Sequence, residues 1–425
     1  MDFEPSATAQ ALCDQVEAFF QRYILPRNGD WHAWAAEPTA PEPRFLAELR
    51  DAARREGLWN MALPGLPEDA PGQRCTNLEF APLAEIMGRL GWASEVFNCH
   101  APDVPNMEVL LRSGTPDQRR RWLAPLLNAE FRSAFAMTEP DVASSDASNI
   151  ATTIRKEGSS YVIDGHKWFA SGATHPHCRF LLVMGVTNPD ASRTRRHSVV
   201  IVPRDAPGVT VLRDLTVFGH RDPVSPHAEI LLSDVCVPVE NLLGREGEGF
   251  RIGQARLGPA RVHHCMRAIG ACEVLVGLML ERARRRVAFG HTLAEYSTIQ
   301  EWVALSRIEI EQSRLMVLKT AWLLDQGESA VTRQQVSLIK VGVARTYSNI
   351  ADRAVQLFGA LGTTEDTPVG QAYTRARLLR IYDGPDEVHY RTIYRLEADA
   401  AATSKRDLSS YMTPPRREPV RAAAE

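Results

Sequence analysis

Near Phe131 the apolar period of this chain changes from three and four to two, and near Gly249 it changes back. Helices and strands need different periods, so the switches cut the chain into parts of different architecture. In the first part, Asp14 to Tyr23 and Pro43 to Glu56 carry apolar residues at helical spacing, with a Pro-rich loop from Glu37 to Pro43. Thr115-Pro116-Asp117 reads as a helix start, with threonine as cap and proline at the first position. The middle part is broken into short β-rich runs: Tyr161 to Ile163, a turn at Asp164-Gly165, His166 to Ala170, Phe180 to Val186, Ser198 to Val202 and Ala228 to Leu232. The last part has long periodic segments, Phe250 to Phe289, Ser297 to Leu324 and Val331 to Leu361, and a further helix starting at Pro385. The expected class is therefore α+β and multi-domain. An N-terminal α-helical domain (1–130) precedes a middle β-barrel or sandwich domain (131–240), a C-terminal four-helix bundle (241–400) and a polar, disordered tail (401–425).

A net charge of −3 gives no reason to expect a nucleic-acid partner. The dense basic run, Arg282, Arg284, Arg285 and Arg286, would spread over several faces of a helix, as a solvated or interface surface or a local anion contact. The cysteines number seven, an odd count, and none pair at metal-ligand spacing, so neither a disulfide framework nor a metal site is expected. Met1 to Phe20 lacks the basic region and apolar run of a signal peptide, and no apolar run reaches membrane-spanning length; the expected setting is the cytoplasm. No GxGxxG, P-loop, HExxH or GxSxG is present, so any cofactor must bind by other means.

Several segments could carry chemistry. Arg380 to His389 places Asp383 on a turn that runs into a helix, where a fixed carboxylate can act as a general base. Burial would raise its pKa and the helix N-terminus would lower it, a balance the sequence leaves open. Phe135 to Asp146 reads as a strand end and a loop of small hydroxyls and exposed amides, able to bind a planar polar ring and a phosphate. Lys167 to Gly172 pairs aromatics at a strand end, either core or packing for a flat cofactor. Leu257 to Cys265 puts Arg261 and His263 near a helix start, where anions bind; adjacent His263 and His264 point to different faces and ill suit one metal. Gln356 to Gly362 ends a helix with glycines, as a plain cap or to let backbone approach a phosphate or ribose.

Taken in this order, the segments resemble the acyl-CoA dehydrogenase family over about residues 15 to 400. The likeness is carried by Met137-Thr138-Glu139-Pro140, Lys167-Trp168, Arg286 to Gly290, Gln356 to Gly362 and the late acidic turn. The wording is closer still to the branch of family members ten and eleven, at Asn98 to Leu110, Met137 to Asp146, Leu257 to Arg267 and Asp383 to His389. The resemblance implies FAD bound between the β domain and the bundle, in a homodimer or dimer of dimers. It implies that Phe135, Met137, Thr138, Ser144 and Ser145 meet the cofactor, with Trp168, Ala170 and Ser171 at its reactive edge and Glu387 nearby. Arg286, Phe289, Gln356 and Gly359 would reach the FAD of a neighbouring subunit, and Ser145, Arg261, His263 and Gly384 would hold the acyl-CoA. Asp383 would take the α-proton of a thioester whose oxygen is polarised by hydrogen bonds, while the β-hydride passes to flavin N5. The product would be a trans-2-enoyl-CoA, and an electron-transfer flavoprotein the acceptor.

The chain departs from the family pattern in places. Its base is aspartate where most members have glutamate, shorter by roughly 1.5 Å of reach. Ala170 stands where a hydroxyl usually faces flavin N5, and Pro105 and Pro226 replace glycines in segments expected to be loops near the acyl pocket. Alternatives follow: a same-fold flavin oxidase resembling nitroalkane oxidase, a member acting on 4-hydroxy- or 4-phosphoacyl-CoA, or a flavin-binding scaffold without turnover.

Overall fold

A computed structural model of the chain describes residues 6–37, 40–327, 329–404 and 408–413. The N-terminal part is helical: α1 (Ala7–Phe19), α2 (Asn28–Ala36), α3 (Arg44–Arg55), α4 (Asn77–Gly88), α5 (Ala93–Val96), α6 (Asp103–Ser113), α7 (Pro116–Gln118) and α8 (Ala124–Leu127). Thr115 caps α7 in a reciprocal capping box with Gln118, as the Thr-Pro start implies. The expected helix Asp14 to Tyr23 is α1 prolonged by a π turn, Phe20–Ile24.

The β part holds β1 (Arg132–Ala136), β2 (Thr153–Glu157), β3 (Ser160–Ser171), β4 (Cys178–Val186), β5 (His197–Pro203), β6 (Val209–Leu215), β7 (His227–Pro238) and β8 (Leu242–Leu243). They form one mixed sheet in the order β6-β7-β3-β2-β4-β5-β8, with β1 parallel to β4. The continuous apolar run of β4 reflects burial on both faces. Phe180, Leu182 and Met184 join the large core shared with the helices, whereas Leu181 and Val183 join a second core inside the β domain.

One expected turn is corrected. Asp164-Gly165 does not end a strand; it is an irregularity within β3, where the register on β7 shifts. Asp164 accepts from the amide of Asp234, and Gly165 lies so close to Thr152 that a Cβ would stand 2.2 Å from its hydroxyl oxygen. Asp-Gly here serves a bulge and a close approach.

The last part contains α9 (Gly249–Arg285), the small hairpin β9 (Val287–Ala288) and β10 (His291–Thr292), then α10 (Ser297–Asp325), α11 (Ala330–Phe358), α12 (Pro368–Leu379) and α13 (Asp386–Thr403). The four expected helices are α9, α10, α11 and α13; α12 is an addition, started by Pro368 at its first position. Helix α9 is long and apolar enough to cross a membrane, contrary to the expectation of no such run, but most of that stretch is buried in the protein core. It crosses α4 closely: a Cβ on Gly88 would stand 2.2 Å from the carbonyl oxygen of Arg267, and one on Gly270 2.0 Å from that of Glu85. The expected disordered tail begins too early, since α13 runs to Thr403 and Ser409–Tyr411 form a 3-10 turn; residues 405–407 and 414–425 lie outside the described residues.

Candidate active site

Helix α12 ends at Leu379, and the chain turns through Arg380 to Pro385 before α13 begins. Arg380 pairs with the buried Asp386 at 2.8 Å and ties the two ends of the turn together. Within it, Asp383 has φ 54° and Gly384 φ 102°. Aspartate is among the few residues that enter the left-handed region without great cost. Gly384 is constrained twice, because a Cβ there would also stand 2.8 Å from Nε2 of His389.

Side chains from neighbouring helices clamp the backbone of this turn. Arg261 on α9 donates its Nε–H to the Asp383 carbonyl at 2.9 Å, and His389 on α13 reaches the same oxygen at 3.3 Å. Lys340, wholly buried on α11, donates to the carbonyls of Leu379 and, at 3.3 Å, Gly384. The carboxylate is left to other work. Its Oδ2 lies 3.4 Å from Nε2 of His264 but has no aligned hydrogen-bond donor.

The balance left open by the sequence is decided by charge. Burial raises the Asp383 pKa, but His264, Arg261, Arg256 and Lys340 together bring it below the usual carboxylate value. Burial, helped by Arg267, pushes the His264 pKa down to about 3, so at neutral pH that imidazole is uncharged. The charges that keep Asp383 ionised are therefore those of Arg261, Arg256 and Lys340. Arg256 also lies over the Phe135 ring at 4.5 Å and donates to Asn106 at 3.2 Å, joining the acid turn to the end of β1.

Beyond β1, the loop from Met137 is anchored by a buried ion pair. Lys167 donates to Glu139 and to the carbonyls of Met137 and Met184, while Glu139 accepts from the amides of Ala151 and Thr152. Burial lowers the Lys167 pKa to about 8, against the opposing pull of Glu139. Thr138 and Trp168 exchange hydrogen bonds through Thr138 Oγ1 to Trp168 O and Trp168 N to Thr138 O. Met137, Thr138 and Trp168 are half-buried side by side, a flat apolar edge with a hydroxyl. These residues fit an isoalloxazine ring.

Other expected cofactor residues are placed differently. The Ser144 hydroxyl accepts from the Glu139 amide and folds the loop itself. Ala170 is 0% exposed and packs in the β core, while the Ser171 hydroxyl meets His227 Nδ1 at 2.8 Å. Strand alternation thus points Ala170 inward and gives the hydroxyl to its neighbour. Ser145 and Glu387 are exposed. Arg286, Gln356 and Gly359 are exposed on the bundle, and Phe289, at the tip of the β9–β10 hairpin, is 97% exposed. Gln356 borders a cleft of about 550 Å³ with Arg353, Arg377 and Arg380.

His263 is buried with its ring edge against Phe80, 4.7 Å between centroids, and it is His264, one residue on, that meets Asp383. His264 beside the acid turn was not singled out from the sequence, although spacing held the signal, since Arg261, His264 and Arg267 recur every three residues along a helix. Lys340 and Arg256 carried no motif, and His389 closed the acid-turn motif without a role assigned to it. Pro105 lies in the first turn of α6 rather than a loop, and lines a small pocket with Cys99, His100, His263, His264 and Arg267. Among the described residues, no three His, Cys, Asp or Glu side chains converge to hold a metal ion.

Models of the acyl-CoA dehydrogenase N-terminal, middle and C-terminal domains match residues 6–130, 134–235 and 247–396. The chain belongs to the acyl-CoA dehydrogenase family. It is accordingly a flavoprotein oxidoreductase of acyl-CoA thioesters, with FAD as cofactor. It is 48% identical to the Mycobacterium tuberculosis protein named "Probable acyl-CoA dehydrogenase FadE2", over 93% of this chain and 97% of that one. It is 46% identical to mouse acyl-CoA dehydrogenase family member 10, over 92% of this chain but only 37% of that protein's length. A solved structure of a candidate acyl-CoA dehydrogenase from Mycobacterium abscessus shares 43% identity and a TM-score of 0.89, over 94% of this chain and all of that one.

Proposed function

We propose that this acyl-CoA dehydrogenase desaturates an acyl-CoA between Cα and Cβ, with Asp383 as the base that removes the α-proton and a trans-2-enoyl-CoA as product. The observation that carries this reading is the Asp383 turn: its backbone is clamped from α9, α11 and α13 while its carboxylate is ionised and without an aligned donor. Such a group is fixed in place and free to accept a proton. FAD, when bound along Met137, Thr138 and Trp168, supplies the hydride acceptor. A carboxylate of depressed pKa is a weak base, so the thioester oxygen must be stabilised as the proton leaves. Arg256, between Asp383 and the Phe135 strand end, supplies positive charge on that side. The exposed set Arg286, Phe289, Gln356 and Gly359 supports a FAD site completed by a second copy of the chain, and an electron-transfer flavoprotein is the proposed acceptor.

One observation favours an oxygenated acyl chain. The pocket beside His264 is lined by His100, His263 and Arg267, and Nε2 of His263 has no hydrogen-bond partner. A 4-hydroxyacyl-CoA could place its hydroxyl among such groups where a plain chain leaves them unpaired. Anaerobic mixing of the FAD-loaded protein with acyl-CoAs and 4-hydroxyacyl-CoAs, read by flavin absorbance, tests both readings. Bleaching that Asp383→Asn abolishes is expected. An unbleached flavin, or an Asp383→Asn variant as fast as the parent, would overturn the assignment.

A further inference from the structure

Resting on Asp383 as the base, the geometry points to His264 as a positioning residue, its tautomer set by Arg267 and its Nε2–H turned toward Oδ2 of Asp383, so that Oδ1 is left to take the proton. The chain of contacts is continuous. Arg267 donates Nη1 to the carbonyl of Cys99 at 3.2 Å, which fixes the guanidinium, and Nη2 to Nδ1 of His264 at 3.0 Å. A guanidinium can only donate, so Nδ1 must accept, and an uncharged imidazole then carries its hydrogen on Nε2. That nitrogen is the one 3.4 Å from Oδ2. Tyr382 packs edge-on against the ring, 5.2 Å between centroids.

Oδ2 of Asp383 is a buried oxygen without a partner, and His264 is the donor nearest to hand. A small rotation of the carboxylate closes the contact, as catalytic hydrogen bonds often do only when substrate is bound. The device suits an aspartate: its short side chain cannot swing far, so a donor on one oxygen sets which oxygen faces the thioester. Other groups bear on the same carboxylate. On α9 they are Arg256, Arg261, Cys265 and Arg267; Lys340 faces it from α11, Tyr382 from the turn and His389 from α13. None of these places a donor within reach of Oδ2 among the described residues.

The test uses the FAD-loaded protein and a 3-thiaacyl-CoA, whose β-position is sulphur and has no hydride to lose. Wash-in of deuterium from D2O at its α-carbon then reports proton removal without turnover of the flavin. His264→Ala is expected to slow exchange by roughly ten- to a hundredfold, the effect of a base no longer held in line with the α-proton, which outweighs its slightly greater basicity. Loss of that donor makes the carboxylate less stable, so the acid limb of the rate profile should move to higher pH while thioester binding changes little. His264→Gln, whose amide nitrogen lies near the Nε2 position, should recover most of the rate. If His264→Ala does not retain FAD, His264→Asn, whose amide falls short, replaces it in the comparison. Unchanged rate and acid limb in these variants, alongside an inert Asp383→Asn, would overturn the role of His264. Exchange by Asp383→Asn at the parent rate would instead overturn Asp383 as the base.

Discussion

Arg261 donates to the backbone carbonyl of Asp383 at 2.9 Å, not to its carboxylate. The guanidinium therefore holds the turn in shape while lending its charge to a carboxyl group it does not bind. Arg261→Lys keeps the charge but loses the planar Nε donor. The expected result is a drop of roughly tenfold in anaerobic flavin reduction. Arg261→Met loses both, and should also raise the acid limb of the rate profile. Equal effects of the two variants would show that only the hydrogen bond matters, and a lysine variant as fast as the parent would show that only charge does.

Stability should decline as the medium becomes mildly acidic. Burial holds the pKa values of His175, His264 and His389 at about 3, about 3 and about 4, against 6.5 for a free imidazole. Below pH 6.5 the unfolded chain binds protons that the folded chain refuses, so their contribution is full above that value and falls as pH drops toward the folded pKa. Each contributes a slope of roughly 1.4 kcal/mol per pH unit in that window. Glu42, held near 2 by Arg50 and Arg132 against its own burial, adds to the loss below its usual value of 4.5. Urea denaturation from pH 8 to pH 5 should show the slope, and His389→Gln should make it shallower by about one proton.

The Lys167–Glu139 pair is buried at both ends. Lys167→Met leaves Glu139 without its charge partner and should cost about 3–5 kcal/mol, with loss of bound FAD as the Met137 loop loosens. The double variant Lys167→Met/Glu139→Gln should be more stable than the single one. Thermal denaturation together with the FAD content per chain separates the two effects.

At the α4–α9 crossing, Gly88→Ala would drive a methyl group against the backbone of Arg267. The expected cost is about 1–3 kcal/mol. Because the strain falls on the segment that carries His264, flavin reduction by acyl-CoA should slow even at temperatures where the variant is fully folded. A destabilised variant with unchanged rate would show that the two helices separate without disturbing the site.

The large elements were legible because period is a property of local sequence. The change near Phe131 and the return near Gly249 correspond to β1 and α9, and the Thr115 cap stands as expected. Asp164-Gly165 misled because a bulge and a turn ask for the same residues. Within the site, Asp383 and Arg261 were marked by their segments. Lys340 was not, since a buried lysine capping carbonyls from another helix has no sequence signature, and its meaning arises only when α11 packs on the end of α12. His264 was not marked either, since its place beside Asp383 depends on which way α9 faces where it packs closely on α4.

The left-handed backbone of Asp383 bears on how this enzyme can change. A single codon step separates aspartate from glutamate, yet a glutamate at this position would have to enter a region that aspartate adopts more readily. In this chain the shape of the main chain favours the short acid at position 383, independently of which acid performs the chemistry better. Exchange for the longer base therefore sets side-chain reach against backbone strain in a turn that Arg261, Lys340 and His389 hold from relaxing.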